Sequence, residues 1–402
     1  MRVLEILMLS RAVAPFTIGT TGPTALSTAL AAALDAQWTL GFPRTPDGVD
    51  QLTHGFYRYP AALNPIAASH LLSVVPDDGP LLDPFCGSGT ALIEGLRSGR
   101  ETVIGADASP LALWVAARHT WRPAPAQCER LRALASAAAA SATADGSSAI
   151  TFDRLREELE AVAQEETDEA VCEALWFCFC VSQQRAATQR KLAKDPAATL
   201  VAVTSEYAHC AARLASAVGG GDGGGGLGAA AVEFVSSDAR QLTLPRRASA
   251  IVTSPPYPGV YDYLSLAREG RALHGRAPVM GLRQLPEEVP GERVRWPEDW
   301  RSDREIGARK ARRRRPQAFA SAWDSDQKAW MSAALGCLVS GGRAALLIGD
   351  GDGLDNLAAT SRTAAEVGFE LLATATISSD VERTERKKGQ RRTEHALLLE
   401  VP

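Results

Sequence analysis

The sequence predicts an α/β protein built on a parallel sheet, and three observations carry that prediction. Residues 79–120 read as strand, glycine turn, helix, strand and helix, the repeating unit of a parallel sheet. The alternation resumes in short strand-like runs at Val232–Val235, Ala248–Thr253 and Arg343–Gly349. Two closing strands, Phe369–Ile377 and Ala396–Val401, flank the charged segment 380–394 as an antiparallel pair would.

The elements follow in order. Residues 1–50 form an N-terminal extension, with a helix over Thr24–Trp38 and a Pro/Gly loop over Gly41–Asp50. Residues 51–123 hold a helix at Ala61–Val75, a strand ending at Asp83 and a helix at Ala91–Ser98. A strand at Thr102–Ala106 then ends on Asp107, and Ser109 caps a helix opened by Pro110. Residues 124–228 lack strand signals over most of their length and read as a helical insertion that ends in the linker Gly219–Gly228. The stretch 153–169 carries eight acidic residues against two arginines. Residues 229–402 complete the sheet. Within them 265–320 is a polar, Arg/Pro-rich loop, and a helix at 323–338 is closed by Gly341 and Gly342.

Composition narrows the function classes. The chain has 402 residues, 46% of them apolar and 22% charged, ample for a full core without disulfides. Its net charge of -4 argues against a protein that coats nucleic acid by bulk positive charge, but leaves room for a local basic face. Seven scattered cysteines without a CxxC pair suit free thiols in a reducing cytoplasm, and no metal site is expected. No apolar run reaches the roughly 20 residues that span a bilayer, so no membrane partner is expected. The start of the chain does not read as a signal peptide.

The sharpest local signal is the glycine turn after the strand at Leu81–Asp83. Gly87 and Gly89 permit a tight turn into a helix whose first N–H groups are free to meet a ligand. The segment lacks a Walker ending, and Leu92 stands where a dinucleotide fingerprint needs its third glycine. Asp83 would repel a phosphate. Asp107 is placed for ribose hydroxyls, and Asp238, after the third strand, for an adenine amino group. Three acids at successive strand ends fit S-adenosylmethionine, which joins an amino acid, a ribose and a base around a sulfonium. A plain glycine turn with surface carboxylates is the alternative.

The second signal is Ser254, Pro255, Pro256 and Tyr257, directly after a strand. Two prolines fix the backbone and remove two donors, leaving carbonyls that accept from an amino group. Tyr257 offers a flat face for a planar base. Together the two motifs resemble those of the amino-group (N4-cytosine or N6-adenine) DNA methyltransferases. The resemblance spans residues 54–120 and 230–400. Asp83, Pro84, Phe85, Cys86, Gly87, Ser88, Gly89 and Thr90 match that family's DPFxGSGT cofactor motif. Ser254 to Tyr257 match its (D/N/S)PP(Y/F/W) catalytic motif. His54 to Pro60 loosely resemble its N-terminal cofactor motif, which adds Tyr59 and Pro60 to the cofactor set.

The resemblance implies a Rossmann-like seven-stranded methyltransferase sheet, S-adenosylmethionine as cofactor and a nucleic-acid substrate. DNA is favoured over RNA, and Ser254 leans toward N4-cytosine over N6-adenine. RNA methylases acting on guanine N2 have a similar turn, so an RNA base methyltransferase is the alternative; a catalytically silent nucleic-acid-binding relative is another. The insertion departs from the family, and 265–320 is the one candidate for a nucleic-acid-contacting loop. Residues 301–315 there hold eight basic and two acidic residues. Arg309, Lys310, Arg312, Arg313, Arg314 and Arg315 are the expected phosphate contacts. Trp323 reads as a core or loop anchor before a base-stacking residue. Asp350–Asp355 reads as a turn after a strand, His395 as a strand residue, and Cys86 as no nucleophile.

Overall fold

The computed structural model describes residues 16–39, 52–59, 62–144, 150–188, 192–219, 230–262, 305–314, 316–351, 353–379 and 393–402. Eight strands form one sheet in the order β1-β7-β8-β6-β5-β2-β3-β4. They are β1 (Phe16–Thr21), β2 (Leu81–Asp83), β3 (Thr102–Asp107), β4 (Ala231–Ser236), β5 (Ala248–Thr253), β6 (Leu338–Gly349), β7 (Glu370–Ser379) and β8 (Thr393–Glu400). The pairs β2–β3, β3–β4, β2–β5 and β5–β6 are parallel. β8 runs antiparallel to both β6 and β7, so the closing pair forms as expected.

Seven of these strands make the expected Rossmann-like α/β sheet. The eighth is β1, which pairs antiparallel with β7 from Phe16 opposite Ser379 to Thr21 opposite Thr374. Nothing in its short polar sequence, Phe-Thr-Ile-Gly-Thr-Thr, marks it out; an exposed edge of β7 supplies the partner. Helix α1 (Thr24–Thr39) follows at once and buries Leu30, Ala33 and Leu34.

The sheet is covered on both faces, as a parallel sheet must be. The pleat divides β2: Leu81 joins Ala250, Val252, Ala345 and Leu347 beneath α1, α2 (Pro65–Leu72) and α3 (Thr90–Arg97). Leu82 joins Ile251, Leu346 and Ile348 beneath α10 (Pro316–Cys337), from which Trp330, Met331 and Ala334 descend. Helix α11 (Asn356–Val367) packs on that second face through Ala364. Each fully buried leucine here is worth roughly 1.5–3 kcal/mol relative to exposure. Helix starts obey local chemistry. Asn64 accepts from the N–H groups of Ile66 and Ala67 at the start of α2. Ser109 accepts from Ala112 N–H at 3.3 Å, with Pro110 first in α4 (Pro110–His119).

Two expectations about local structure are corrected. Gly341 and Gly342 do not close the preceding helix, which ends at Cys337. They lie inside β6, where Leu338 pairs with Ala248 but Arg343 with Ala250, so the extra residues bulge out. Gly341 takes a left-handed φ of 74° there, and its N–H donates to Val401 O at 2.8 Å. The second correction concerns 265–320. Residues 263–304 lie outside the described residues, but Arg309–Arg314 is a helix, α9, and α10 begins at Pro316.

The Ala/Glu-rich stretch folds as four helices, α5 (Pro125–Thr143), α6 (Phe152–Gln164), α7 (Glu169–Thr188) and α8 (Pro196–Gly219). Leu131, Leu155, Leu175, Leu200 and Tyr207 build their core, and Phe177 carries it onto Tyr57 and Trp114 of the sheet-bearing part. Glu173 of α7 accepts from Trp114 Nε1 at 2.8 Å and from Arg118 at 2.6 Å. The four helices are thereby fixed to α4 by apolar and polar contacts alike.

Candidate active site

The strand order reverses at β2. From it the chain proceeds outward through β3 and β4 on one side and β5 and β6 on the other. At such a switch point the carboxyl ends of the strands diverge and leave a crevice. Read across the sheet, those ends present Asp238 after β4, Asp107 on β3, Asp83 on β2, Ser254 after β5 and Asp350 after β6. All five line one cavity of about 430 Å³, together with Tyr59, Phe85, Cys86, Gly87, Ser88, Thr90, Pro256 and Tyr257.

The glycine turn is held from several sides. Cys86 N–H donates to Ala106 O at 2.9 Å, and Gly89 N–H to Cys86 O at 2.7 Å. Gly87 has φ 49°, its N–H donates to Asp107 Oδ2 at 3.0 Å, and an added Cβ would stand 3.4 Å from the Tyr59 ring. Gly89, at φ 81°, starts α3 where a Cβ would meet Ala116 Cα at 3.2 Å. Both glycines thus answer a left-handed φ and a close neighbour together. Pro84, Gly89 and Pro255 shape these loops without lining the cavity. Pro60 lies outside the described residues.

Burial governs the acids. Asp83 is pushed up to about 7 by loss of solvent, opposed by the Thr253 hydroxyl and the Phe85 N–H, with Asp107 adding to the rise. Burial pushes Asp107 up to about 6, opposed by the N–H groups of Ser109, Gly87 and Ala108. Two buried carboxylates at adjacent strand ends are incompletely compensated and favour a cationic, hydroxyl-bearing ligand. Burial also lifts the Cys86 thiol well above its ordinary value, consistent with no nucleophilic role.

Asp238 reaches the cavity, though already engaged. Its carboxylate accepts from Arg240 Nη2 at 2.5 Å and Nε at 3.0 Å, and Arg240 continues to Asp326 of α10 at 2.7 Å. Burial raises the Asp238 carboxyl and the Arg240 contacts outweigh it, so it titrates below the ordinary value. Hydrogen bonding to a ligand amine at Asp238 therefore competes with a formed ion pair.

The catalytic-type loop is tied to the cofactor-type turn by a residue that neither motif signalled. Thr253, the last residue of β5, donates from Oγ1 to Asp83 Oδ1 at 2.6 Å. The Tyr257 ring rests against Gly349 at the end of β6, where a Cβ would overlap it. Gly259 N–H donates to Gly307 O at 2.8 Å, and Arg309 N–H to Tyr261 O at 3.2 Å. These bonds clip residues 305–314 onto the loop. Helix α9 therefore stands beside the cavity mouth with Arg312, Arg313 and Arg314 exposed. Arg309 is also exposed and pairs with Asp262 at 3.4 Å. The Lys310 side chain and Arg315 lie outside the described residues. Trp323 is buried under Gly307, as an anchor.

His119 is a further supporting residue that sequence reasoning missed. Burial holds its imidazole down at about 3, so it is neutral. Its Nδ1–H donates to Ser88 O at 2.8 Å, and Nε2 accepts from Tyr57 N–H at 3.2 Å. The ring thus bridges the glycine turn and the Tyr59-bearing segment. Gln184 of α7 holds that segment from the other side, accepting from Arg58 N–H at 2.7 Å and donating to Arg58 O at 3.1 Å. No sequence pattern announces either contact, because each joins residues distant in the chain.

A sheet of this order, with an acidic glycine turn at its switch point, defines the class: an S-adenosylmethionine-dependent methyltransferase fold. The buried carboxylates of Asp83 and Asp107 and the donor-rich turn suit a cofactor that carries a cationic centre and hydroxyl groups. Comparison with known proteins agrees over part of the chain. Residues 56–175 match a family model described as UPF0020, RMKL-like, methyltransferase domain. The chain is 38% identical over 95 residues to the type II methyltransferase M.MvaI of Kocuria varians, covering 23% of this chain and 20% of that protein. It thus spans about a fifth of the length of that relative. Among solved structures, TrmN from Thermus thermophilus aligns at TM-score 0.34 and 13% identity, covering 84% of this chain and 49% of TrmN. The rRNA methyltransferase AviRa from Streptomyces viridochromogenes aligns at TM-score 0.31 and 13% identity, covering 83% and 84%.

Proposed function

We propose that the protein transfers the methyl group of S-adenosylmethionine to an exocyclic amino group of a base in DNA, N4 of cytosine before N6 of adenine. The observation that carries this reading is the shared cavity. It joins Ser254, Pro256 and Tyr257 to the acidic cofactor turn, with Thr253 bonded to Asp83 between them. The short identity with a type II methyltransferase supports DNA. A base in RNA is the second reading, supported by the turn Asp83–Thr90, which guanine-N2 RNA methylases resemble.

The residues divide the work. A base lifted from its stack, at a cost of a few kcal/mol, lays its face on Tyr257. The Ser254 hydroxyl, held by the backbone that Pro255 and Pro256 make rigid, accepts from the amino group and orients its lone pair. Asp83, Asp107 and the donors of the glycine turn hold the cofactor, with Tyr59 against Gly87 beside it. When bound, S-adenosylmethionine supplies an electrophilic methyl carbon on a sulfonium. Positioning and exclusion of water in the cavity then carry most of the rate. The exposed arginines of α9 contact phosphates near the flipped base.

Incubation with methyl-labelled S-adenosylmethionine and duplex DNA, tRNA or rRNA tests the reading. Label on DNA that disappears in Tyr257→Ala supports it. Label confined to RNA selects the second reading. Wild-type protein that binds cofactor and labels neither is the silent relative.

A further inference from the structure

We propose that Asp350 accepts the proton released by the methylated amine, and that His395 is its positioning residue. The assignment rests on the function proposed above. Asp350 follows the last residue of β6 and lines the cavity at the end occupied by Ser254, Pro256 and Tyr257, away from the carboxylates of the cofactor turn. Gly349, on which the Tyr257 ring rests, is its immediate neighbour. A base on Tyr257 therefore has Asp350 beside it.

Both hydrogen bonds that the described residues make to the carboxylate fall on one oxygen. Asp350 Oδ1 accepts from Asn356 N–H at 3.0 Å and from His395 Nε2 at 3.0 Å. Its own N–H donates to Thr393 O at 3.0 Å, which fixes the backbone against β8. Oδ2 has no hydrogen-bond partner among the described residues, and the side chain is 31% exposed. His395 is 5% exposed, and its Nδ1 lies 2.9 Å from Thr376 Oγ1 on β7. With the carboxylate ionised, Nε2 carries the proton and Nδ1 accepts from the Thr376 hydroxyl. The arrangement crosses β6, β8 and β7, and pins at the rim of the sheet a carboxylate that lines the cavity. An N-methylation releases a proton, and such a group can take it up. Neither Ser254 nor a proline carbonyl takes up a proton, whereas a carboxylate does.

The step balances. The amine lone pair forms the N–CH3 bond while the C–S bond breaks and its electron pair stays on sulfur, which leaves as a neutral thioether. The nitrogen then bears a positive charge and gives one N–H proton to Asp350 Oδ2. The carboxylic acid returns that proton to water after product release. Among the described residues, the titratable groups that pack on Asp350 or share its cavity include His395 from β8, Glu305, Tyr257, Tyr261, Asp83, Asp107 and Asp238, with Asp355 five residues on, at the cap of α11.

Single-turnover methyl transfer, measured at pH 8 on the nucleic acid that wild type labels, tests the assignment. Binding of S-adenosylhomocysteine by calorimetry runs in parallel as the check on folding. Asp350→Asn is expected to lose about 100-fold in rate with little change in binding. His395→Ala is expected to show a smaller loss, and His395→Gln, whose amide can still donate to Asp350, to restore most of the rate. Asp350→Ala is expected to recover rate with added formate, which a structural role would not allow. Asp350→Asn within threefold of wild type, or Asp350→Ala that binds S-adenosylhomocysteine but ignores formate, overturns the proposal. Wild type that labels no nucleic acid overturns the proposed function itself, and this assignment with it.

Discussion

Asp83 and Gly349 show how much single residues decide here. Asp83 titrates at about 7 and Asp107 at about 6 because both are buried. Below those values they are neutral and cannot attract a cationic ligand. Cofactor affinity is therefore expected to rise from pH 5.5 to pH 8 and then level off. Asp83→Asn should flatten that rise and weaken binding at pH 8 by about tenfold or more, readable by calorimetry. The same shift has a stability consequence. An acid raised above its unfolded value is best tolerated when protonated, so the unliganded fold should lose stability between about pH 4 and pH 7. Asp83→Asn should then melt higher than wild type at pH 8 without ligand, and denaturation at about pH 4 and at pH 8 checks the sign. Gly349→Ala makes a contrasting prediction. Its Cβ would displace the Tyr257 ring, and a shift of about 1 Å at a positioned group costs roughly 100-fold in rate. Methyl transfer should fall by that order, with cofactor binding within about threefold.

Among the elements, α9 is the one whose meaning changed most on folding. Its arginine run is conspicuous in sequence, but a charge run alone is as readily a solvated face. Bonds from Gly259 to Gly307 and from Arg309 to Tyr261 place it beside the cavity mouth. Replacing Arg312, Arg313 and Arg314 by alanine should weaken duplex DNA binding and reduce its salt slope by up to about three, leaving cofactor affinity unchanged. Titration at several salt concentrations measures both. The strand β1 is the opposite case. Its sequence is nearly silent, and only the open edge of β7 makes it a strand. The bulge in β6 is hidden in sequence for the same reason: Gly341 and Gly342 look like a helix stop until β5 and β8 pair on either side of them.

At the scale of the whole molecule, the four inserted helices and the sheet share one apolar cluster through Tyr57, Trp114, Phe177 and Tyr207. Glu173 and Gln184 add polar ties to α4 and to the Tyr59 segment. The protein should accordingly unfold in a single calorimetric transition, not as insertion and sheet in turn. S-adenosylhomocysteine at 100 times its dissociation constant should stabilise that transition by about 2.7 kcal/mol. Two resolved peaks, only one moved by ligand, would show the insertion to be independent.

The sequence by itself determined the parallel βαβ order, the glycine turn with Asp83 and Asp107, and the proline loop ending in Tyr257. Each is written in neighbouring residues, where backbone restriction and short-range pattern act directly. Tertiary structure alone decided that Thr253 joins the two motifs, that His119 and Gln184 hold the Tyr59 segment, that Asp238 is engaged by Arg240, and that Asp350 meets His395. Those contacts link residues brought together by strand order, and local propensity carries no record of a partner 45 or 170 positions away.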